Sequence, residues 1–129
     1  MFDREKRFQV SRATYRWYNE TRGRPLALRV ERADTILARV RGWLTRTEPR
    51  EDEGLWLTPC NGVHTFGMRY AIDIVVIDRD MRVVGLRKRL IPNRMMLPVR
   101  GGYATLEFAV GTIDRSGTEC GDRLSWSRN

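Results

Sequence analysis

A chain of 129 residues, 41% apolar and with four each of Trp, Tyr and Phe, fits one domain with its own core and excludes global disorder. No stretch approaches the roughly 18 apolar residues of a membrane span, and the opening "MFDREKRFQV" lacks the apolar segment of a secretory signal, so a cytoplasmic protein is expected. The net charge of +8 raises the prospect of a polyanionic partner, while two cysteines, Cys60 and Cys120, are too few for a disulfide scaffold.

Residues 1–11 are polar and charged and read as an arm or a frayed first strand. Residues 1–32 hold nine Lys or Arg against four Asp or Glu, whereas the remainder holds fifteen against twelve, so most of the excess charge lies at the N-terminal end. Lys occurs only at Lys6 and Lys88. Arg suits the forks of phosphate and carboxylate, although an Arg-rich genome would give the same composition. The stretch "RATYRWYNETRGRPLALRVER" predicts a hairpin. Its first strand covers Ala13–Tyr18, its turn falls within Asn19–Pro25, and its second strand places Leu26, Leu28 and Val30 on one face.

"ADTILARVRGWLTR" predicts the one convincing helix, with Asp34 as N-cap and Ile36, Leu37, Val40, Trp43 and Leu44 on one stripe. Arg39, Arg41 and Arg46 would then form its solvated face. "LWL", Leu55–Leu57, reads as a short strand. "AIDIVVIDRDMRVVGL" is the strongest signal: two β-branched strands joined by a turn around Asp78–Met81, the first apolar on both faces and therefore central. "RKRLIPNRMMLPVRGG" is irregular, with Met95 and Met96 as adaptable packing and the basic run Leu86–Leu90 as a solvated edge. "YATLEFAV" is a strand, "GTIDRSG" a single helical turn capped by Thr112 and closed by Gly117, and "ECGDRLSW" a last short strand. These elements make an α+β domain: a mainly antiparallel β-sheet or partly closed barrel with one amphipathic helix. Residues 1–25 would be a basic N-terminal arm and hairpin strand, and residues 26–129 the compact β-rich body.

"PCNGVHTFGMR", Pro59–Arg69, holds the only histidine and one of the two cysteines. A nucleophilic mechanism through Cys60 would need His64 as its base. On a strand, four residues span about 13 Å, so the pair meets only across a turn at Asn61–Gly62. A small hydrolase or transferase with Cys60 and His64 as candidate catalytic residues is the enzymatic alternative. Cys60, His64, Cys120 and Asp73 lack the paired spacing of a metal site, so neither metal nor cofactor is expected.

If Val63–Ile77 forms one unbroken strand, Thr65, Gly67, Arg69, Ala71 and Asp73 share a face, a polar ladder with small spacers that admit a ligand. A bulge at Gly67 would bring His64 to the same side. Arg69 and Asp73 are costly in an apolar strand and each needs a partner. The favoured reading is a non-enzymatic binding or accessory module for a small anionic ligand, with His64, Thr65, Met68, Arg69 and Asp73 as candidate binding residues. Arg69 would pair with carboxylate or phosphate, His64 and Thr65 would give directional hydrogen bonds, and Asp73 would orient Arg69. The plainer alternative is a structural network tying this strand to the helix or to Arg94 and Arg100. Tyr15, Trp17 and Tyr18, interleaved with Arg12 and Arg16, leave a third reading, nucleic-acid association through the N-terminal hairpin. Ordinary hairpin packing gives the same pattern.

The order "PCNGVHTFGMRYAIDIVVID", "PVRGG", "LEFAVGT" and "GDRL" closely resembles the bacterial and archaeal family named domain of unknown function 192, over about Leu28 to Leu124. By that resemblance Cys60, His64, Thr65, Met68, Arg69 and Asp73 fall on signature positions, and Leu106, Glu107 and Gly111 on a second set. "RGWLTR" is similar to the family's Arg-Gly-Leu-Met-x-Arg segment. The resemblance implies a compact, mostly antiparallel β fold with little helix and brings no reaction with it. Three positions depart from the family pattern: Gly67 replaces a bulky apolar residue, Ala71 a frequent proline, and Met81 a turn glycine, where a left-handed conformation would cost about 1 kcal/mol. Many relatives carry a secretion signal or membrane anchor where this chain has its basic hairpin.

Overall fold

The computed structural model of the protein describes residues 13–34 and 48–129. It contains β1 (Thr14–Asn19), β2 (Arg24–Ala33), β3 (Glu53–Leu57), β4 (Val63–His64), β5 (Ile72–Ile77), β6 (Val83–Leu90), β7 (Met95–Met96), β8 (Ala104–Phe108), a short helix α1 (Thr112–Ser116) and β9 (Leu124–Arg128). Seven strands form one sheet in the order β6-β5-β8-β3-β2-β1-β9, and β4 pairs with β7 in a separate ribbon. Every pairing is antiparallel except that of β2 with β3. The sheet curls until its two edge strands approach. Arg82 bridges Arg123, the Val83 N–H donates to the Asp122 carbonyl (2.9 Å) and the Leu124 N–H to the Met81 carbonyl (2.9 Å). The expected α+β class, with a mainly antiparallel and partly closed sheet, is what the fold shows. The amphipathic helix expected from Asp34 to Arg46 lies almost wholly outside the described residues.

β1 is an interior strand, paired with β2 on one side and β9 on the other. Opposite it, β2 bulges: Tyr15 pairs with Val30 and Trp17 with Ala27, so Leu28 and Arg29 together face one residue of β1. Both of their N–H groups turn to the Asp52 carbonyl, at 3.0 and 2.8 Å. The bulge corrects the expected alternation, because Leu26, Ala27 and Val30 are buried while Leu28 is 49% exposed.

All six residues of β5 are buried, as a run of β-branched side chains between two neighbours requires. Val75 and Ile77 enter one cluster with Trp17, Val30, Trp56, Leu106, Phe108 and Ile113. Ile72, Ile74 and Val76 enter a second, on the opposite face, with Leu55, Leu57, Val63, Met68 and Leu90. The turn after β5 puts Met81 at φ 66, so the left-handed conformation is kept despite its cost, and the Asp78 carboxylate accepts the N–H groups of Asp80 and Arg82 (both 2.9 Å).

Two sequence expectations fail locally. Val63–Ile77 is not one strand: β4 ends at His64, β5 begins at Ile72, and the chain turns between them through Gly67 at φ 81. Thr112 does not cap α1 either. Gly111 occupies the cap position, and no side chain of the helix's own segment bonds its first amides. That role falls to Asp73, 40 residues away in sequence.

Candidate functional site

Three side chains between Pro59 and Asp73 act as staples between segments. Asn61 is the first: its Nδ2 donates to the Val99 carbonyl (2.6 Å) and its Oδ1 accepts the Val99 N–H (2.7 Å), so an amide side chain pairs with the 98–102 loop as a strand would. The loop must come close for this. A Cβ on Gly102 would stand 2.5 Å from Asn61 Oδ1, which explains the glycine in "PVRGG".

Thr65 is the second staple and is fully buried. Its Oγ1 donates to the Ile91 carbonyl (2.6 Å) and accepts the Arg94 N–H (2.9 Å), while its backbone N–H donates to the Arg94 carbonyl (2.8 Å). Its own carbonyl accepts from Asn93 (3.0 Å) and Met68 (3.1 Å).

Asp73 is the third. Only 1% exposed, it lies on the face of β5 that carries Val75 and Ile77. Oδ1 accepts the Arg89 N–H (2.9 Å), holding an irregularity of β6 where Arg89 has φ 51. Oδ2 accepts the N–H groups of Gly111 (3.1 Å) and Ile113 (3.0 Å) and so supplies the missing cap of α1. Gly111 of the second signature, "LEFAVGT", is thereby tied to Asp73 of the first.

The remaining predicted residues separate. Met68 is buried in the second apolar cluster and makes a packing contribution. Cys60 is half-buried against that cluster, and its Sγ donates to the Gly62 carbonyl (3.3 Å). Its backbone is pinned on both sides, to the Tyr103 carbonyl (2.8 Å) and by the Thr105 hydroxyl (3.0 Å). His64 stands opposite Met95 in the β4–β7 ribbon and stacks on Phe66, with ring centroids 5.0 Å apart. Arg69 is exposed, and its guanidinium has no hydrogen-bond or ionic partner among the described residues. No group of three His, Cys, Asp or Glu side chains among those residues could hold a metal ion.

Sequence reasoning missed what surrounds His64. Phe66 (49% exposed), Ile91 (42%), Met95 (54%) and Leu97 (70%) all stand in water on the ribbon and its flanks. The Thr65 bonds draw residues 91–94 against residues 64–66, and Asn93 accepts the Gly67 N–H at 3.3 Å. Arg94 is exposed within the same group, its Nη1 on the Asn93 carbonyl (3.2 Å). The sequence gives Met95 no mark beyond adaptable packing and Phe66 and Leu97 no distinguishing signal, because a strand pattern does not reveal which side lacks a cover.

A second polar centre, also unread from sequence, ties the β1–β2 turn to the segment before β9. Asn19 Nδ2 donates to Thr118 Oγ1 (2.9 Å) and Asp122 Oδ2 (3.0 Å), and Arg22 forks onto Asp122 (2.9 and 3.1 Å) and reaches Glu119 (2.8 Å). The hydrogen bond from Arg22 holds the Asp122 carboxyl at about 2, against burial, with Asn19 and the Glu119 N–H acting in the same direction as Arg22.

Residues 18–126 match the model of the family described as Uncharacterized ACR, DUF192. The chain belongs to this family. A UPF0127 protein of Thermococcus sibiricus is 33% identical over 114 residues, covering 84% of this chain and 72% of its own length. Another from Pyrococcus furiosus is 32% identical over 115 residues, covering 85% and 97%. Two solved structures share the fold. One, from Sinorhizobium meliloti and described as a candidate transcription regulator, superposes with a TM-score of 0.74 at 22% identity over 90% of this chain and 94% of its own. The other, of unknown function from Novosphingobium aromaticivorans, has a TM-score of 0.74 at 24% identity over 92% and 89%. In this DUF192 chain, the signature threonine and aspartate are spent on backbone amides of distant segments.

Proposed function

We propose that the chain is a non-enzymatic binding module for a small anionic ligand with an apolar body, received on the β4–β7 ribbon. The observation that carries this reading is the grouping of four exposed apolar side chains, Phe66, Ile91, Met95 and Leu97, beside two exposed arginines, Arg69 and Arg94. The apolar group lies against the Phe66 and Met95 side chains and gains burial. Carboxylate or phosphate pairs with Arg69, and Arg94 adds positive charge. His64 supports the Phe66 ring and offers a directional hydrogen bond. Thr65 and Asp73 serve the site indirectly: one fixes residues 91–94 against the ribbon, the other fixes the sheet beneath.

Calorimetric titration with octanoate and octyl phosphate tests the reading. Wild type is expected to bind both, and Arg69→Ala to bind each at least tenfold more weakly with an unchanged thermal midpoint. Equal affinity in the two proteins, or no heat in either, rejects it.

A further inference from the structure

The opposite face of the sheet carries a second surface, independent of the ribbon. Cross-strand pairing places Tyr15 opposite Arg128, and Trp17 opposite Trp126, while Arg32 neighbours Trp56 in the parallel pair. Opposed residues share a face, so four aromatic rings and two guanidinium groups collect on adjacent strands. Trp56 is their centre. Its ring lies 4.9 Å from that of Trp17, 5.3 Å from Trp126 and 5.4 Å from Tyr15, and the Arg32 guanidinium sits 4.6 Å above it.

Two features set this cluster apart from ordinary core. It reaches water: Trp126 is 42% exposed, Tyr15 is half-buried against it at 5.4 Å, and Arg32 and Arg128 stand exposed on either side. It also holds two buried indole N–H groups, of Trp17 and Trp56, that find no acceptor among the described residues. Phenylalanine or leucine would pack here without stranding a donor. The edge-to-face neighbours give those N–H groups only the weak acceptor of a ring face. Arg32 has an ionic neighbour in Asp34, 4.0 Å away and itself exposed. The chain as a whole carries +8.

We propose that this face binds single-stranded nucleic acid, with one base stacked on Trp126 against the edge of Tyr15 and the flanking phosphates on Arg32 and Arg128. Arg128 on β9 and Arg32 on β2 lie on the two strands that flank β1, two strand spacings apart and offset by two residues along the strands, roughly 12 Å in all. The two cations flank Tyr15, and Arg128 stands two residues from Trp126 on the same strand, within reach of the phosphate next to a base stacked there. Stacking is sequence-tolerant because every base offers a π-face, and it requires an unpaired strand. The hairpin aromatics are redistributed relative to a simple sequence pattern: Trp17 is wholly buried and serves as support, while Trp126, near the far end of the chain, supplies the exposed ring.

Fluorescence anisotropy of a short labelled oligo(dT) tests the proposal. Wild type is expected to bind saturably, with log K falling against log salt concentration at a slope of about −1.4 for two neutralised phosphates. Trp126→Ala should weaken binding about tenfold or more. Arg128→Gln, at the exposed end of β9, should reduce the slope by about 0.7; it serves as the independent readout if Trp126→Ala fails to fold. Arg69→Ala, on the other face, should bind oligo(dT) as wild type does, which separates this outcome from that of the ribbon. Absence of binding by wild type, an unaltered slope in Arg128→Gln, or equal affinity for duplex DNA overturns the proposal. Competition by thymidine monophosphate as effective as by the oligomer overturns it as well, since the site would then take a mononucleotide.

Discussion

Asn61 pairs with Val99 through both ends of its amide, donating at 2.6 Å and accepting at 2.7 Å, and thereby replaces a missing strand contact between residues 58–63 and the 98–102 loop. Asn61→Ala should leave both Val99 backbone groups without these partners, at a cost of about 1–3 kcal/mol. Gly102→Ala should cost a similar amount, because its Cβ would stand 2.5 Å from the Asn61 oxygen. The two losses share one contact, so the double variant should be less destabilised than their sum. Urea denaturation midpoints of the four proteins check this; strict additivity would show that the contacts act separately.

Asp73 offers two oxygens to three backbone N–H groups. Asp73→Asn retains one acceptor and turns an NH2 toward the amides, so a loss of about 2 kcal/mol is expected, and about 3 kcal/mol or more for Asp73→Ala. Hydrogen exchange should quicken at Gly111 and Ile113 in Asp73→Ala, where those amides lose their acceptor. Protection unchanged from wild type would mean that α1 holds its own N-terminus.

How far these roles could be read from sequence depends on the range of each interaction. β5 and β6 were legible because β-branched periodicity is local, and the turn at Met81 because Asp78 bonds within four residues. The staples were not. Thr65 meets Ile91 and Arg94, Asn61 meets Val99, and Asp73 meets Ile113, at separations of 26, 29, 38 and 40 residues. Polar residues in one signature stretch looked like a shared ladder, whereas the break at Gly67 sends them to different segments. Arg69 and Asp73 were expected as a pair for this reason. Asp73 instead spends both oxygens on backbone, and Arg69 stands in water. The parallel β2–β3 pair escaped notice because strand patterns carry no direction. Leu28 was assigned inward because a bulge depends on Asp52, outside both strands of the hairpin.

Acid should weaken the junction between the β1–β2 turn and β9. The folded Asp122 carboxyl titrates at about 2, below its ordinary 3.8. A depressed carboxyl contributes stability that is complete above 3.8 and lost as pH falls through about 2; the contribution is on the order of 2 kcal/mol. Asp122→Asn should remove that part of the acid dependence, and Arg22→Ala should move it to higher pH by releasing the carboxyl from its hydrogen bond. Denaturation midpoints measured between pH 5 and pH 2 distinguish these cases. Parallel profiles for wild type and Asp122→Asn would place the acid sensitivity elsewhere.

The two thiols should differ in reactivity. Neither is in a disulfide; Cys120 is exposed, whereas Cys60 is half-buried, with its Sγ on the Gly62 carbonyl and its flank against the Val63 and Met68 cluster. Iodoacetamide at neutral pH should therefore modify Cys120 first, and Cys120→Ser protein should label slowly until denatured. Mass spectrometry of the time course reads both rates. A hydrolase or transferase built on Cys60 with His64 as base requires the opposite: a Cys60 that alkylates rapidly in the native protein, with a rate that rises with pH near neutrality and falls in His64→Gln. Slow labelling that His64→Gln leaves unchanged would confine Cys60 to packing and to the turn that presents Asn61.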